Sequence, residues 1–115
     1  KNIPVLIEIN SGDEEQKDGV SEANSRAFLE KCLSCEGITV RGLMTMGPNL
    51  DSGEELRPYF RKTKRLFDEL HKEYGFGEDP ILSMGMSDSF GVAIEEGSTL
   101  VRVGRRLFKK NQEEI

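Results

Sequence analysis

The chain has 115 residues, 36% of them hydrophobic and none tryptophan, so residues 1–115 are expected to form one domain with a modest core. Its 21 acidic against 16 basic side chains leave a net charge of −5, the wrong sign for a protein that neutralises nucleic-acid phosphates, and DNA and RNA are discounted as partners. No apolar run approaches the ~20 residues of a membrane helix, and the first ten residues read as a polar-tipped strand rather than a signal sequence, so a soluble, cytoplasmic protein without membrane contact is expected.

Residues 3–9 are a short apolar run broken by Asn10-Ser11-Gly12 and an acidic stretch to Gly19, the pattern of a strand entering a loop. Over residues 20–35, Ala23, Ala27, Phe28 and Cys32 return at helical spacing, and Gly37 supplies a stop. A second strand is expected at 39–45, followed by a turn-rich loop through Gly47, Pro48 and Gly53. The helix from Glu54 is the clearest element: Leu56, Tyr59, Phe60, Thr63, Phe67, Leu70 and Tyr74 fall three or four apart, while Arg61, Lys64, Asp68 and Lys72 form the wet side. His71 reads as an ordinary surface residue of that helix. A third strand follows at 81–84, then Ser87, Asp88 and Ser89, whose polar side chains can cap a short helix running to Glu96. A fourth strand is expected at 99–103, closed by Gly104.

Four short strands alternating with helices predict an α/β fold of parallel strands, a (β/α)4 unit equal to half of a TIM-type barrel. Half a barrel leaves strand edges and one sheet face in need of cover, which implies a missing N-terminal half or a second copy of the chain as partner.

Cys32 and Cys35 form a C-x-x-C spacing. At a helix end the dipole disfavours a thiolate, and with His71 as the single histidine the soft ligands for zinc are missing, so two helix-end thiols, one of them packed, are expected and no metal.

Ligands of such folds sit at the C-terminal ends of the strands, here Asn10-Ser11, residues 44–47, residues 83–89 and residues 104–106. The richest of these is Ser83-Met84-Gly85-Met86-Ser87, where glycine admits close backbone approach and two serines offer hydroxyls, as a phosphate cradle requires. Serine-glycine loops before helices also serve as plain caps, so on residue chemistry alone the cradle stands beside that simpler role.

Taken in unbroken succession, Ser83-Met84-Gly85-Met86-Ser87, the run 92–99 (Val-Ala-Ile-Glu-Glu-Gly-Ser-Thr) and Val101-Arg102-Val103-Gly104 resemble the signature end of the pyridoxal phosphate homeostasis proteins. Gly42-Leu43-Met44-Thr45-Met46-Gly47, Leu56-Arg57-Pro58-Tyr59-Phe60 and residues 10–19 resemble that family's middle segments, so the likeness spans nearly the whole chain. The resemblance implies the C-terminal half of a fold-type III, alanine-racemase-like barrel that binds pyridoxal 5′-phosphate (PLP) and buffers vitamin B6 without acting as an enzyme.

It further implies cofactor-binding roles: Ser83 and Ser87 at the phosphate, Gly104 adding a backbone N–H there, Arg102 at the pyridine nitrogen, and Asn10 and Met44 as wall residues. An arginine at that nitrogen keeps it unprotonated and weakens the ring as an electron sink, which suits a carrier. The family's Schiff-base lysine belongs to its first strand, and none of the eight lysines here stands in a matching context, so PLP binding is expected to be non-covalent and no catalytic residue is assigned. The chain departs from the family pattern at Asp88-Ser89 and Gly91, where the cap shifts by one residue, and at Arg105-Arg106, where a small or hydroxylated residue is usual; Arg105 then either pairs with the phosphate or degrades the site. The competing reading is a half-barrel scaffold that oligomerises and binds no cofactor; racemase-type catalysis lacks both its lysine and a second proton-transfer group.

Overall fold

The computed structural model describes residues 3–12, 18–48, 50, 52–86 and 89–101. Strands β1 (Ile3–Glu8), β2 (Ile38–Thr45) and β3 (Ile81–Met84) alternate with helices α1 (Ser25–Leu33), α2 (Gly53–Tyr74) and α3 (Phe90–Glu95). The strands form one parallel sheet in the order β1-β2-β3, each beside its predecessor in the chain. Parallel neighbours need a helical crossover between them, which the intervening helices supply.

One face of the sheet carries the core. Ile7, Ile9, Val40, Leu43, Leu82 and Met84 are buried from the strands, and Leu29, Phe60, Phe67, Leu70 and Ala93 meet them from the helices. Each of the fully buried large side chains contributes roughly 1.5–3 kcal/mol. The pairing of β1 with β2 is not uniform: Val5 pairs with Val40 but Leu6 with Gly42, so Arg41 is an extra residue on β2. Side chains alternate across a strand, so this bulge decides which side of the sheet every later β2 residue occupies. The Arg41 guanidinium donates to the Phe76 and Asp79 carbonyls, tying the bulge to the turn that precedes β3.

Helix α2 starts with a side-chain cap: the Ser52 hydroxyl accepts from the Glu55 N–H and lies 3.3 Å from the Glu55 carboxylate. It stops at Gly75, φ +81°, and His71 closes the end. Its Nδ1 accepts the Phe76 N–H at 3.0 Å, and its ring stacks with Phe67 and Phe76 at centroid distances of 6.3 and 5.7 Å. His71 is therefore half-buried and structural, which corrects its reading as an ordinary surface residue.

The first helix is also shorter than its periodicity suggests. Val20 pairs with Ile9, accepting from the Asn10 N–H and donating to the Glu8 carbonyl, and residues 21–24 turn before α1 starts at Ser25. Tertiary pairing at Val20 outcompetes helix formation there. Beyond α3 the expected fourth strand is represented by a parallel bridge between Ser83 and Leu100; its residues 102–103 lie outside the described residues. Among the described residues no helix is long and apolar enough to cross a membrane.

Candidate functional site

The register fixes which strand-end residues share a face. Ile7, Leu43 and Leu82 align across the three strands and are buried beneath the helices, so the next row, Glu8, Met44 and Ser83, stands on the opposite face. Asn10 follows Glu8 by two residues on the same side. Three of the candidate residues, Asn10, Met44 and Ser83, are thus brought to one side of the sheet at its C-terminal end. Ser87, Arg102, Gly104 and Arg105 lie outside the described residues.

The loops leaving β1 and β2 are stitched together beside that row. The buried Thr45 hydroxyl donates to the Ile9 carbonyl at 2.8 Å, lies 2.9 Å from the Ser11 hydroxyl and accepts the Gly47 N–H at 3.4 Å. Gly12 passes so close to Pro48 that a Cβ there would lie 3.2 Å from its ring. A cleft of about 100 Å3 opens between these loops, lined by Glu8, Ile9, Asn10, Ser11, Asp18, Met46 and Gly47.

After β3 the chain turns sharply at Gly85, φ +95°, where an added Cβ would stand 2.6 Å from the Ala93 Cβ of α3. Ser89 occupies the position before α3, yet its hydroxyl turns back to accept the Met86 N–H and makes no bond to the helix. The expected side-chain cap of this helix is corrected for Ser89: the short loop recruits the hydroxyl first. On the far side of α3, the Ser98 hydroxyl lies 2.8 Å from the Leu100 carbonyl and 3.1 Å from those of Leu82 and Met84, and the Thr99 hydroxyl accepts the Leu82 N–H at 2.8 Å. These hydroxyl bonds add to the backbone bonds that hold the segment beside β3, from the Met84 N–H to the Leu100 carbonyl and from the Thr99 N–H to the Leu82 carbonyl.

Among the described residues a cluster of ion pairs joins α2 to the end of α3. Arg57 of α2 bonds Glu54, Glu95 and Glu96 at 2.6–2.7 Å, and Arg61 bonds Glu96 at 3.0 Å. Hydrogen bonds from Arg61 and then Arg57 hold the Glu96 carboxyl down to about 2. At the other end of the molecule, Arg26 on α1 pairs with Glu73 and Glu69 on α2. Cys32 is half-buried against the core, and burial pushes its thiol up, whereas Cys35 is exposed with Sγ 3.4 Å from the Lys31 carbonyl. Among the described residues no group of histidines, cysteines and carboxylates is arranged to hold a metal.

Two participants were not singled out by sequence reasoning. Glu8 was legible in principle, as the one charged residue alternating within an apolar run. The junction of Arg57 and Glu96, 39 residues apart, carries no local sequence signal.

With this geometry, residues 1–112 match the family described as alanine racemase, N-terminal domain. The chain belongs to that family. The pyridoxal phosphate homeostasis protein of Aquifex aeolicus is 52% identical over 104 residues, a match that covers 90% of this chain and 45% of that protein. PipY of Synechococcus elongatus, in its structure without PLP, superposes with a TM-score of 0.81 at 28% identity, covering 94% of this chain and 50% of PipY. The PLP-bound structure of PipY superposes with a TM-score of 0.74. The chain spans about half the length of the curated relatives it matches. The likeness to pyridoxal phosphate homeostasis proteins that the motifs carry is thereby borne out, as is the parallel α/β fold.

Proposed function

We propose that this chain is the phosphate-holding, C-terminal half of a PLP-binding barrel, a single (β/α)4 domain that carries vitamin B6 in the cytoplasm and catalyses no reaction by itself. The observation that carries the reading is the convergence of Asn10, Met44 and Ser83 on one face at the C-terminal strand ends, with the chain turning at Gly85 immediately beyond Ser83. The fit to a phosphorylated ligand rests on residue chemistry there: Ser83 offers a hydroxyl at the strand end, and Gly85 lets the chain turn immediately beyond it against α3. The relatives named for PLP homeostasis and the PLP-bound PipY point to the same ligand.

In this reading Ser83, Ser87 and the Gly104 N–H hold the phosphate, with Arg105 able to pair with it. Met44 and Asn10 form the wall, and Arg102 faces the pyridine nitrogen and leaves it unprotonated. Bound PLP supplies an aldehyde and an electron-withdrawing ring, and the arginine weakens the latter, as suits a carrier. Among the described residues Lys31 lies on α1 and Lys62, Lys64 and Lys72 on α2, none on a strand, which supports non-covalent binding by this half. The open face and the outer edge of β1, where Ile3 is 63% exposed, call for the N-terminal half of the barrel or a second copy as cover.

PLP titration by calorimetry, with borohydride reduction and mass spectrometry alongside, tests the reading. Saturable binding that Ser87→Ala and Arg102→Ala both weaken, without a reduced lysine adduct, is the expected outcome. A trapped adduct refutes the non-covalent assignment, and absence of saturable binding leaves the oligomerising scaffold as the function.

A further inference from the structure

Helix α3 is too short to hold its own position. It has six residues including Gly91, begins without a side-chain cap, and has no acidic group in its first turn or basic group in its last. Something outside it must fix where it lies, and the contacts identify what does. At its end, Glu95 and Glu96 are gripped by Arg57 at 2.6 and 2.7 Å, and Glu96 also by Arg61. The Arg57 side chain is 25% exposed and that of Glu96 11%, so the pair is far better shielded than an ordinary surface bridge and its bonds are charge-assisted. Arg57 is in turn braced by Glu54, one turn earlier on α2, a 22-residue helix whose apolar side is packed into the core.

Both strand-end segments depend on that grip. Upstream, Ala93 of α3 abuts Gly85, so a displaced helix leaves the turn after Ser83 unsupported. Downstream, Gly97 turns with φ +105° against the Lys64 side chain, and Ser98 and Thr99 follow at once with their bonds to β3. From Arg57 to the β3 backbone the connection therefore runs through Glu96, Gly97 and Ser98 without a gap.

We propose that Arg57 is a positioning residue: by clamping Glu95 and Glu96 it sets α3 and thereby both the Gly85–Met86 turn and the Ser98–Thr99 segment that leads to Arg102. The effect on ligand affinity rests on the reading of these segments as the PLP phosphate side; the effect on their order does not.

The test uses the whole chain in four forms: wild type, Arg57→Ala, Arg57→Lys and Arg26→Ala, the last removing a more exposed arginine bridge, between α1 and α2. Arg57→Ala is expected to raise the PLP dissociation constant roughly 2- to 30-fold, the scale of remote residues acting through a packed element. Arg57→Lys, which keeps the charge but not the forked guanidinium, falls between, and Arg26→Ala leaves affinity near wild type. Amide hydrogen exchange supplies the second arm: the Met84, Ala93, Gly97 and Leu100 amides exchange faster in Arg57→Ala and not in Arg26→Ala. Unchanged exchange at these four positions overturns the proposal whatever PLP does, as does an Arg57→Ala affinity equal to that of Arg26→Ala. If wild type binds no PLP, the ligand reading falls, and the exchange arm alone decides the positioning role.

Discussion

Replacing Gly85 by alanine puts two separable costs at one atom. The φ of +95° is unfavourable for any residue with a Cβ, at about 1–2 kcal/mol. The new methyl would also stand 2.6 Å from the Ala93 Cβ and 3.2 Å from the Phe90 Cα. Carbon atoms rest about 3.5–4.0 Å apart, so α3 must retreat by about 1 Å, and overpacking of this kind costs about 1–3 kcal/mol. The sum is a loss of about 2–5 kcal/mol, or a urea midpoint lower by roughly 1–2.5 M at an m-value near 2 kcal/mol/M. Ala93→Gly separates the two costs, because it removes the clash while leaving the backbone strain and adding about 1 kcal/mol of helix-propensity loss. The double variant Gly85→Ala/Ala93→Gly should therefore be about 1–3 kcal/mol more stable than the sum of the single losses predicts, as read by equilibrium urea unfolding of all four forms. Additivity within about 0.5 kcal/mol would mean that Gly85 and Ala93 do not meet and that α3 is not seated on the turn.

Gly42→Ala is expected to be more damaging, because its Cβ would stand 1.7 Å from the Ile81 carbonyl oxygen and no side-chain rotation relieves a clash with backbone; loss of β3 protection in amide exchange, with β1 less affected, checks it. The Glu96 carboxyl, held at about 2 in the folded chain, lies below the ~4.3 of an unperturbed glutamate, so its contribution is complete above that value and drains away as pH falls towards about 2. Glu96→Gln should accordingly flatten the stability profile between about pH 5 and pH 2, measured by urea midpoints across that range.

Much of the fold was readable because its apolar periods are clean. Expectations of strands at 39–45 and 81–84 and of a helix from Glu54 to Tyr74 differ from β2, β3 and α2 by a residue at most. What failed to show was decided by distant partners. Val20 leaves the helical pattern for a bridge to Ile9, and His71 becomes an acceptor only because Gly75 returns the Phe76 N–H to it. Met44 is the sharper case. Strict alternation from the Val5–Val40 pair would have put it on the helix-covered face, and only the extra residue Arg41 turns it to the side of Ser83. A strand end could be recognised from composition, but its facing depended on a bulge beside Gly42, where the chain lies against the Ile81 backbone of β3.

The order β1-β2-β3 also bears on how the chain is made. Each strand pairs with the one synthesised just before it, so on a ribosome every new β-α unit emerges to find its docking edge already translated. Among the described strands none must wait for a later one to be inserted between itself and its neighbour, so β1, β2 and β3 can join in the order in which they are translated.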